Sequence, residues 1–186
     1  MSCVDISVVI PVYNEEENLS LLFERLYSTL EKYANERNKK YEIIFVDDGS
    51  TDKTPEMLKD FFEKHSDILR VIYFNGNYGQ YVAILAGFEH VSGDVVVTLD
   101  ADLQNPPEEI PNLLTLIEQG HDLVGGYRAN RHDNFFRKYA SRLINKIRRK
   151  ITGYSHSPNS IPHGIKHRVG KVMGCIMPGC EEMRIF

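Results

Sequence analysis

The stretch Val95-Val96-Val97-Thr98-Leu99-Asp100-Ala101-Asp102-Leu103-Gln104 changes character at one step. A run that is apolar at nearly every position gives way to two carboxylates two residues apart. An uninterrupted apolar run of this length reads as a strand buried on both faces, the condition of a strand inside a parallel sheet. In open parallel sheets, ligands collect outside the carboxyl ends of the strands. Asp100 and Asp102 therefore stand where a fold of this class keeps its site.

The rest of the chain agrees with that reading. Upstream, Ile6 to Val12, residues 41–46 and residues 69–74 are short apolar runs that predict three more strands, with the fourth over 93–99. Between them lie helix-period segments. Residues 15–34 place Leu19, Leu22, Phe23, Leu26 and Leu30 on one face, and 54–64 has Pro55 in its first turn, where a missing N–H costs nothing. Further helices are expected over 81–91 and 108–118, and a fifth strand begins at 122–125. Strands alternating with helices imply an α/β fold, a largely parallel sheet with helices on both faces.

Composition narrows the class. The 186 residues are 42% hydrophobic and 26% charged, enough for one well-cored domain. The net charge of −4 hides a division: residues 1–127 carry 9 Lys/Arg against 23 Asp/Glu, and residues 128–186 carry 13 against 3. A basic C-terminal part suggests an anionic partner, phosphate or a membrane surface. Cys3, Cys175 and Cys180 are too few and too scattered for a disulfide framework or a zinc pair. Neither a signal-peptide pattern nor an apolar run of about 18 residues is present, so the expected location is cytoplasmic. A Gly-x-Gly-x-x-Gly fingerprint after the first strand and a P-loop are both missing, which argues against a nicotinamide enzyme and a P-loop nucleotidase. No nucleic-acid partner is expected.

Three strand ends deliver polar residues to one rim: Pro11-Val12-Tyr13-Asn14-Glu15, Asp47-Asp48-Gly49-Ser50 and Asp100-Ala101-Asp102-Leu103-Gln104. If the chain stays extended, Asp100, Asp102 and Gln104 point the same way. Two carboxylates and an amide oxygen form a hard set suited to Mg²⁺ or Mn²⁺, with phosphate and water completing the shell. A lone Asp-x-Asp is as readily a solvated acidic turn; its place after the apolar strand favours the metal. Asp47-Asp48-Gly49-Ser50 reads either as a helix-entry turn or as a partner for a base or ribose. Asn77-Tyr78-Gly79-Gln80 precedes a helix and is either a turn or a phosphate-facing backbone. Arg128, after the fifth strand, is a candidate for a bidentate grip on a diphosphate, or simply a surface residue. Residues 135–151 repeat Phe136, Tyr139, Leu143, Ile144, Ile147 and Ile151 at helical spacing among Arg and Lys. Such a helix can lie in an anionic membrane interface, or pack its apolar face on the domain.

Taken in order, Val9-Ile10-Pro11-Val12-Tyr13-Asn14-Glu15, Val46-Asp47-Asp48-Gly49-Ser50-Thr51-Asp52, Asn77-Tyr78-Gly79-Gln80 and Leu99-Asp100-Ala101-Asp102-Leu103-Gln104-Asn105-Pro106-Pro107-Glu108-Glu109 resemble glycosyltransferase family 2. The likeness is to its polyprenyl-phosphate glycosyltransferases and covers roughly residues 4–154. The resemblance implies a GT-A fold and a nucleotide-sugar pocket lined by Pro11, Tyr13, Glu15, Val46, Asp48, Asp100, Ala101 and Arg128. It implies a divalent metal, Mg²⁺ or Mn²⁺, at Asp100, Asp102 and Gln104, with Asp100, Asp102 and Arg128 as the catalytic set. The implied reaction is inverting transfer of a sugar from a nucleotide-diphospho-sugar, by preference UDP-linked, to polyprenyl (undecaprenyl) phosphate. The helix at 135–151 would then rest on the cytoplasmic face of the membrane.

The expected organisation is a catalytic domain over 1–133, a basic interface helix over 134–153 and an atypical tail over 154–186. The tail departs from the family: no Asp occurs from 134 to 186, where an Asp-x-Gly-type motif and an Arg are expected, and Gly and Pro break any period. It reads as disordered and as sequence unrelated to the family, as truncation or a frameshift would give. This chain is accordingly expected to transfer sugar poorly or not at all. Two alternatives remain: a soluble family 2 transferase acting on a glycan, and a non-catalytic protein that retains nucleotide-sugar binding.

Overall fold

The structure, a computed structural model, describes residues 4–127, 171–173 and 182–185. The first strand, β1 (Ile6–Val12), is buried along its whole length, as is β2 (Tyr41–Asp47). They run parallel in register, Ile6 beside Tyr41 and Val12 beside Asp47. The strand β3 (Leu69–Tyr73) pairs with the outer side of β2, and β4 (Val95–Thr98) with the other side of β1, all parallel. Beyond β4 lies β6 (Lys171–Met173), giving the order β3-β2-β1-β4-β6. The strand β5 (Val124–Tyr127) pairs antiparallel with β7 (Glu182–Ile185) in a separate ribbon.

Helices cover both faces. Val8, Ile10 and Val12 face the larger core with α1 (Leu19–Arg37), α2 (Thr54–Lys64) and α4 (Ile110–Glu118), through Leu22, Leu26, Leu58, Leu113 and Ile117. Val9, Ile44, Val46 and Val96 face the opposite way and pack on Ala83 and Phe88 of α3 (Gln80–Glu89). This is the period of two that a strand imposes, expressed in a strand apolar on both sides. At the amino ends of the strands, buried Glu42 accepts hydrogen bonds from the Ser7 hydroxyl and the Ser92 N–H, both at 2.6 Å, and meets Arg70 at 3.3 Å. That network fastens the α3–β4 connection to the sheet, far from the acidic rim.

Two sequence expectations change here. Residues 171–173 and 182–185 form strands where the sequence predicted no regular element. Strand pairing is made by main-chain groups, so a three- or four-residue partner needs no apolar period of its own. The helix expected from residue 15 begins at Leu19, and the N–H groups of Glu15 and Glu16 ahead of it are held by Thr54, at the start of α2, and by Asp52. The expected helix at 135–151 lies outside the described residues.

Candidate active site

The chain turns from β1 to β2 and β3 on one side, then returns to place β4 on the other. The carboxyl ends of β1 and β4 therefore diverge, leaving the crevice that open α/β sheets use for ligands. A cleft of about 390 Å³ opens there, lined by Pro11, Val12, Tyr13, Glu15, Asp48, Asn77, Gly79, Gln80, Asp100, Ala101 and Asp102. A larger groove of about 550 Å³ runs between α1 and the 3-10 turn Pro107–Glu109. There Arg25 and Glu108 are bound to each other by two contacts of 2.7 Å. The smaller cleft is the chemical candidate, because its carboxylates converge from separate strands.

Its walls are cross-braced. After β1, Asn14 takes a left-handed backbone (φ 54°), and its carboxamide oxygen accepts the Thr51 N–H at 2.8 Å while its own N–H donates to Ser50 Oγ at 2.9 Å. The Glu15 N–H donates to Thr54 Oγ1 at 2.9 Å and the Glu16 N–H to Asp52 Oδ2 at 3.2 Å. In return the Lys53 N–H donates to Glu16 Oε2 at 2.9 Å. The loops after β1 and β2 thus close on each other, and Tyr13, 46% exposed, is part of the cleft lining.

Asp48 organises a third loop. Its side chain is buried, and its two oxygens accept the N–H groups of Tyr78 at 2.7 Å and Gly79 at 2.8 Å. The neighbouring Gly49 has φ 73°, and a Cβ there would stand 2.5 Å from the Gly76 carbonyl carbon. Only glycine lets the two backbones approach so closely. Asp47, also buried, accepts the Ser50 N–H at 3.0 Å. The Asp-Asp-Gly-Ser run therefore shapes the β2 turn and, through it, the entry to α3.

At the end of β4, Asp100 and Asp102 are part-buried. Burial pushes the Asp100 carboxyl up from its ordinary value, the nearby Asp102 charge adds to that, and a hydrogen bond from Gln80 opposes both. That bond runs from Gln80 Nε2 to Asp100 Oδ1 at 2.6 Å. A part-buried Asp100 whose ionised form is disfavoured by burial and by the adjacent Asp102 charge is a place where a cation is favoured. Among the described residues no group of three His, Cys, Asp or Glu converges as a ready-made metal cage. A set of two carboxylates fits Mg²⁺ or Mn²⁺, which draw remaining oxygens from phosphates and water.

Of the residues singled out in the sequence, Pro11, Tyr13, Glu15, Asp48, Asp100, Ala101 and Asp102 line this one cleft. Val46 does not line it: the side chain is fully buried against α3. Gln104 does not line it either. The chain leaves the extended conformation after Leu99, Leu103 adopts φ 57°, and the expected alternation is broken. Instead the Gln104 N–H donates to Asp102 Oδ1 at 3.0 Å, an Asx turn that steadies Asp102. Arg128 lies outside the described residues. The sequence reading missed the Gln80 carboxamide, although it singled out the segment; the available signal was a long amide at the first position of a helix that opens on the acidic rim.

The comparisons with known proteins agree with this fold. Undecaprenyl-phosphate 4-deoxy-4-formamido-L-arabinose transferase of Photorhabdus laumondii is 53% identical over 150 residues, which are 81% of this chain and 45% of the relative. The protein of the same name from Serratia proteamaculans is 52% identical over 150 residues, with the same coverage. The chain thus spans about half the length of the curated relatives it matches. Among solved structures, Staphylococcus aureus TarS 1–349 superposes with a TM-score of 0.55 at 22% identity, over 70% of this chain and 37% of TarS. The mannosyltransferase PcManGT from Pyrobaculum calidifontis, solved with GDP-Man and Mn²⁺, gives 0.53 at 24% identity, over 74% of this chain and 39% of its own. These two likenesses establish the GT-A fold. The family model for glycosyl transferase family 2 matches residues 7–181, a span that includes β6. On its sheet order, its switch-point cleft and this match, the chain belongs to glycosyl transferase family 2.

Proposed function

We propose that the cleft binds a nucleotide-diphospho-sugar, UDP-linked by preference, for inverting transfer to a polyprenyl phosphate. The observation that carries the reading is the convergence of Asp100 and Asp102 with Tyr13, Glu15 and the Asp48-held loop in one crevice. The names of the curated relatives support the lipid-phosphate acceptor.

In this reading the Tyr13 ring offers a flat face to the base, and Glu15 borders the ribose side. Asp48 acts indirectly, by holding the loop at 77–79 against the cleft. Asp100 and Asp102 would hold the divalent metal, with Gln104 contributing its N–H to orient Asp102 rather than a ligand oxygen. Once bound, Mg²⁺ or Mn²⁺ would neutralise the charge that develops on the departing diphosphate. The nucleophile is a phosphate oxygen, already ionised at neutral pH. It attacks the anomeric carbon from the side opposite the leaving group, the carbon–oxygen bond to the diphosphate breaks, and configuration inverts. No strong base is required, so positioning and charge neutralisation carry the rate. The basic segment at 135–151 would hold the protein on the cytoplasmic face of the membrane, each Lys or Arg near an anionic surface contributing about 1 kcal/mol.

Two measurements test the two halves. Displacement of a fluorescent UDP analogue in Mn²⁺ should be at least about ten-fold more effective with UDP-sugars than with ADP, the size of a lost hydrogen-bonding set in the base pocket. Equal displacement by ADP would remove the uridine preference. Sedimentation with anionic liposomes should be salt-sensitive and weakened by replacing Arg148, Arg149 and Lys150 with Gln. Binding indifferent to salt and to that change would remove the electrostatic half.

A further inference from the structure

From these contacts we infer that Gln80 is a positioning residue for Asp100. It ties the loop that Asp48 holds to the carboxylate at the end of β4, so that the two sides of the cleft are set as one unit. The inference rests on the reading of Asp100 and Asp102 as the metal-binding pair and deepens it.

The contacts form a continuous path across the crevice. Asp48, buried at the end of β2, takes the N–H groups of Tyr78 and Gly79 on its two oxygens. Gly49 lets the Gly76 backbone lie directly on the β2 turn. Gly79, at φ 95°, then turns the chain so that Gln80 is the first residue of α3. From there the Gln80 carboxamide reaches Asp100 Oδ1 at 2.6 Å. The path thus starts on β2 and ends on β4, two strands separated by β1 in the sheet.

The chemistry of the bond explains its use. An aspartate carboxylate, two rotatable bonds from the main chain, samples several rotamers, and a metal ligand must sit in one. A neutral amide donor fixes one oxygen of Asp100 without cancelling its charge. A Lys in that role would bring a positive charge beside a cation, and a Leu would bring no donor. Partners that orient metal ligands in this way commonly govern affinity by about ten-fold or more. Gln80 itself is exposed, so its change is not expected to disturb the core.

The test is a Mn²⁺ titration followed by electron paramagnetic resonance, on the 186-residue chain with saturating UDP. Gln80→Leu should weaken Mn²⁺ about ten-fold, while the thermal midpoint stays as in the parent. In an Asp100→Asn background, the same Gln80→Leu change should have no further effect on Mn²⁺, since its target carboxylate is gone. Asp102→Asn serves as the reference. If Asp102→Asn loses Mn²⁺ but Gln80→Leu stays within two-fold of the parent, roughly the limit of a neutral substitution, the positioning role is overturned. The same holds if Gln80→Leu weakens Mn²⁺ equally with and without Asp100. If Asp102→Asn leaves Mn²⁺ binding intact, the metal reading of the pair falls, and this inference falls with it.

Discussion

Gly49 shows how much of the cleft depends on a residue with no side chain. Its φ of 73° is left-handed, and a methyl group there would meet the Gly76 backbone at 2.5 Å rather than a side chain that can move aside. The left-handed backbone alone costs about 1–2 kcal/mol for an alanine. The collision must also push the loop at 76–79 away from Asp48, which then loses its partners at Tyr78 and Gly79. Gly49→Ala is therefore expected to lower the urea midpoint and, separately, to weaken UDP binding under conditions where the protein remains folded. A variant that loses stability but binds UDP as the parent does would show that the loop does not shape the pocket. Sequence reading recognised the Asp-Asp-Gly-Ser run as important but left its role open between a turn and a ligand contact. In the structure the carboxylates make the turn and hold the next loop.

The helix α3 lies on its face of the sheet with Gly87 turned inward. A Cβ at Gly87 would collide with a Val9 Cγ1 and stand 3.3 Å from Val46 Cγ2, and Val9 and Val46 are fully buried, β-branched and hard to displace. Alanine gains about 1 kcal/mol in helix propensity over glycine, but overpacking a tight core costs about 1–3 kcal/mol. Gly87→Ala should thus be neutral to destabilising by up to about 2 kcal/mol, and should shift α3 outward enough to weaken metal binding through Gln80. A clear rise in the thermal midpoint would mean that helix and sheet are less tightly pressed than they stand here. The elements themselves were largely legible. The run from Ile6 to Val12 and the helix at 54–64 fall where apolar pattern and Pro55 put them. Faces were harder to read: Val46 lies in a strand apolar on both sides, so nothing in its period says that it points at α3 and not at the cleft. Gln104 was placed with the acids on the assumption of extended chain, and the left-handed Leu103 ends that extension. The strands β6 and β7 were missed because runs of three and four residues, even the alternating Glu182-Met183-Arg184-Ile185, are too short for a period to stand out.

For the molecule as a whole, charge and topology point the same way. The acidic part, residues 1–127, brings Glu15, Asp48, Asp100 and Asp102 to the cleft, whereas the basic part, residues 128–186, carries 13 Lys/Arg against 3 Asp/Glu. In the proposed reading the acidic part takes a metal-bridged nucleotide and the basic part an anionic surface. Among the described residues no helix is long and apolar enough to cross a membrane. The family assignment is settled by the match over residues 7–181 together with relatives about 50% identical. What the cleft holds is the claim on which the rest stands, and isothermal titration of UDP into the chain measures it directly. Binding is expected in Mn²⁺ or Mg²⁺, to weaken by at least about ten-fold in EDTA, and to lose most of that metal-dependent part in Asp102→Asn. Equal UDP affinity in Mn²⁺ and in EDTA, unchanged by Asp102→Asn, would contradict the account.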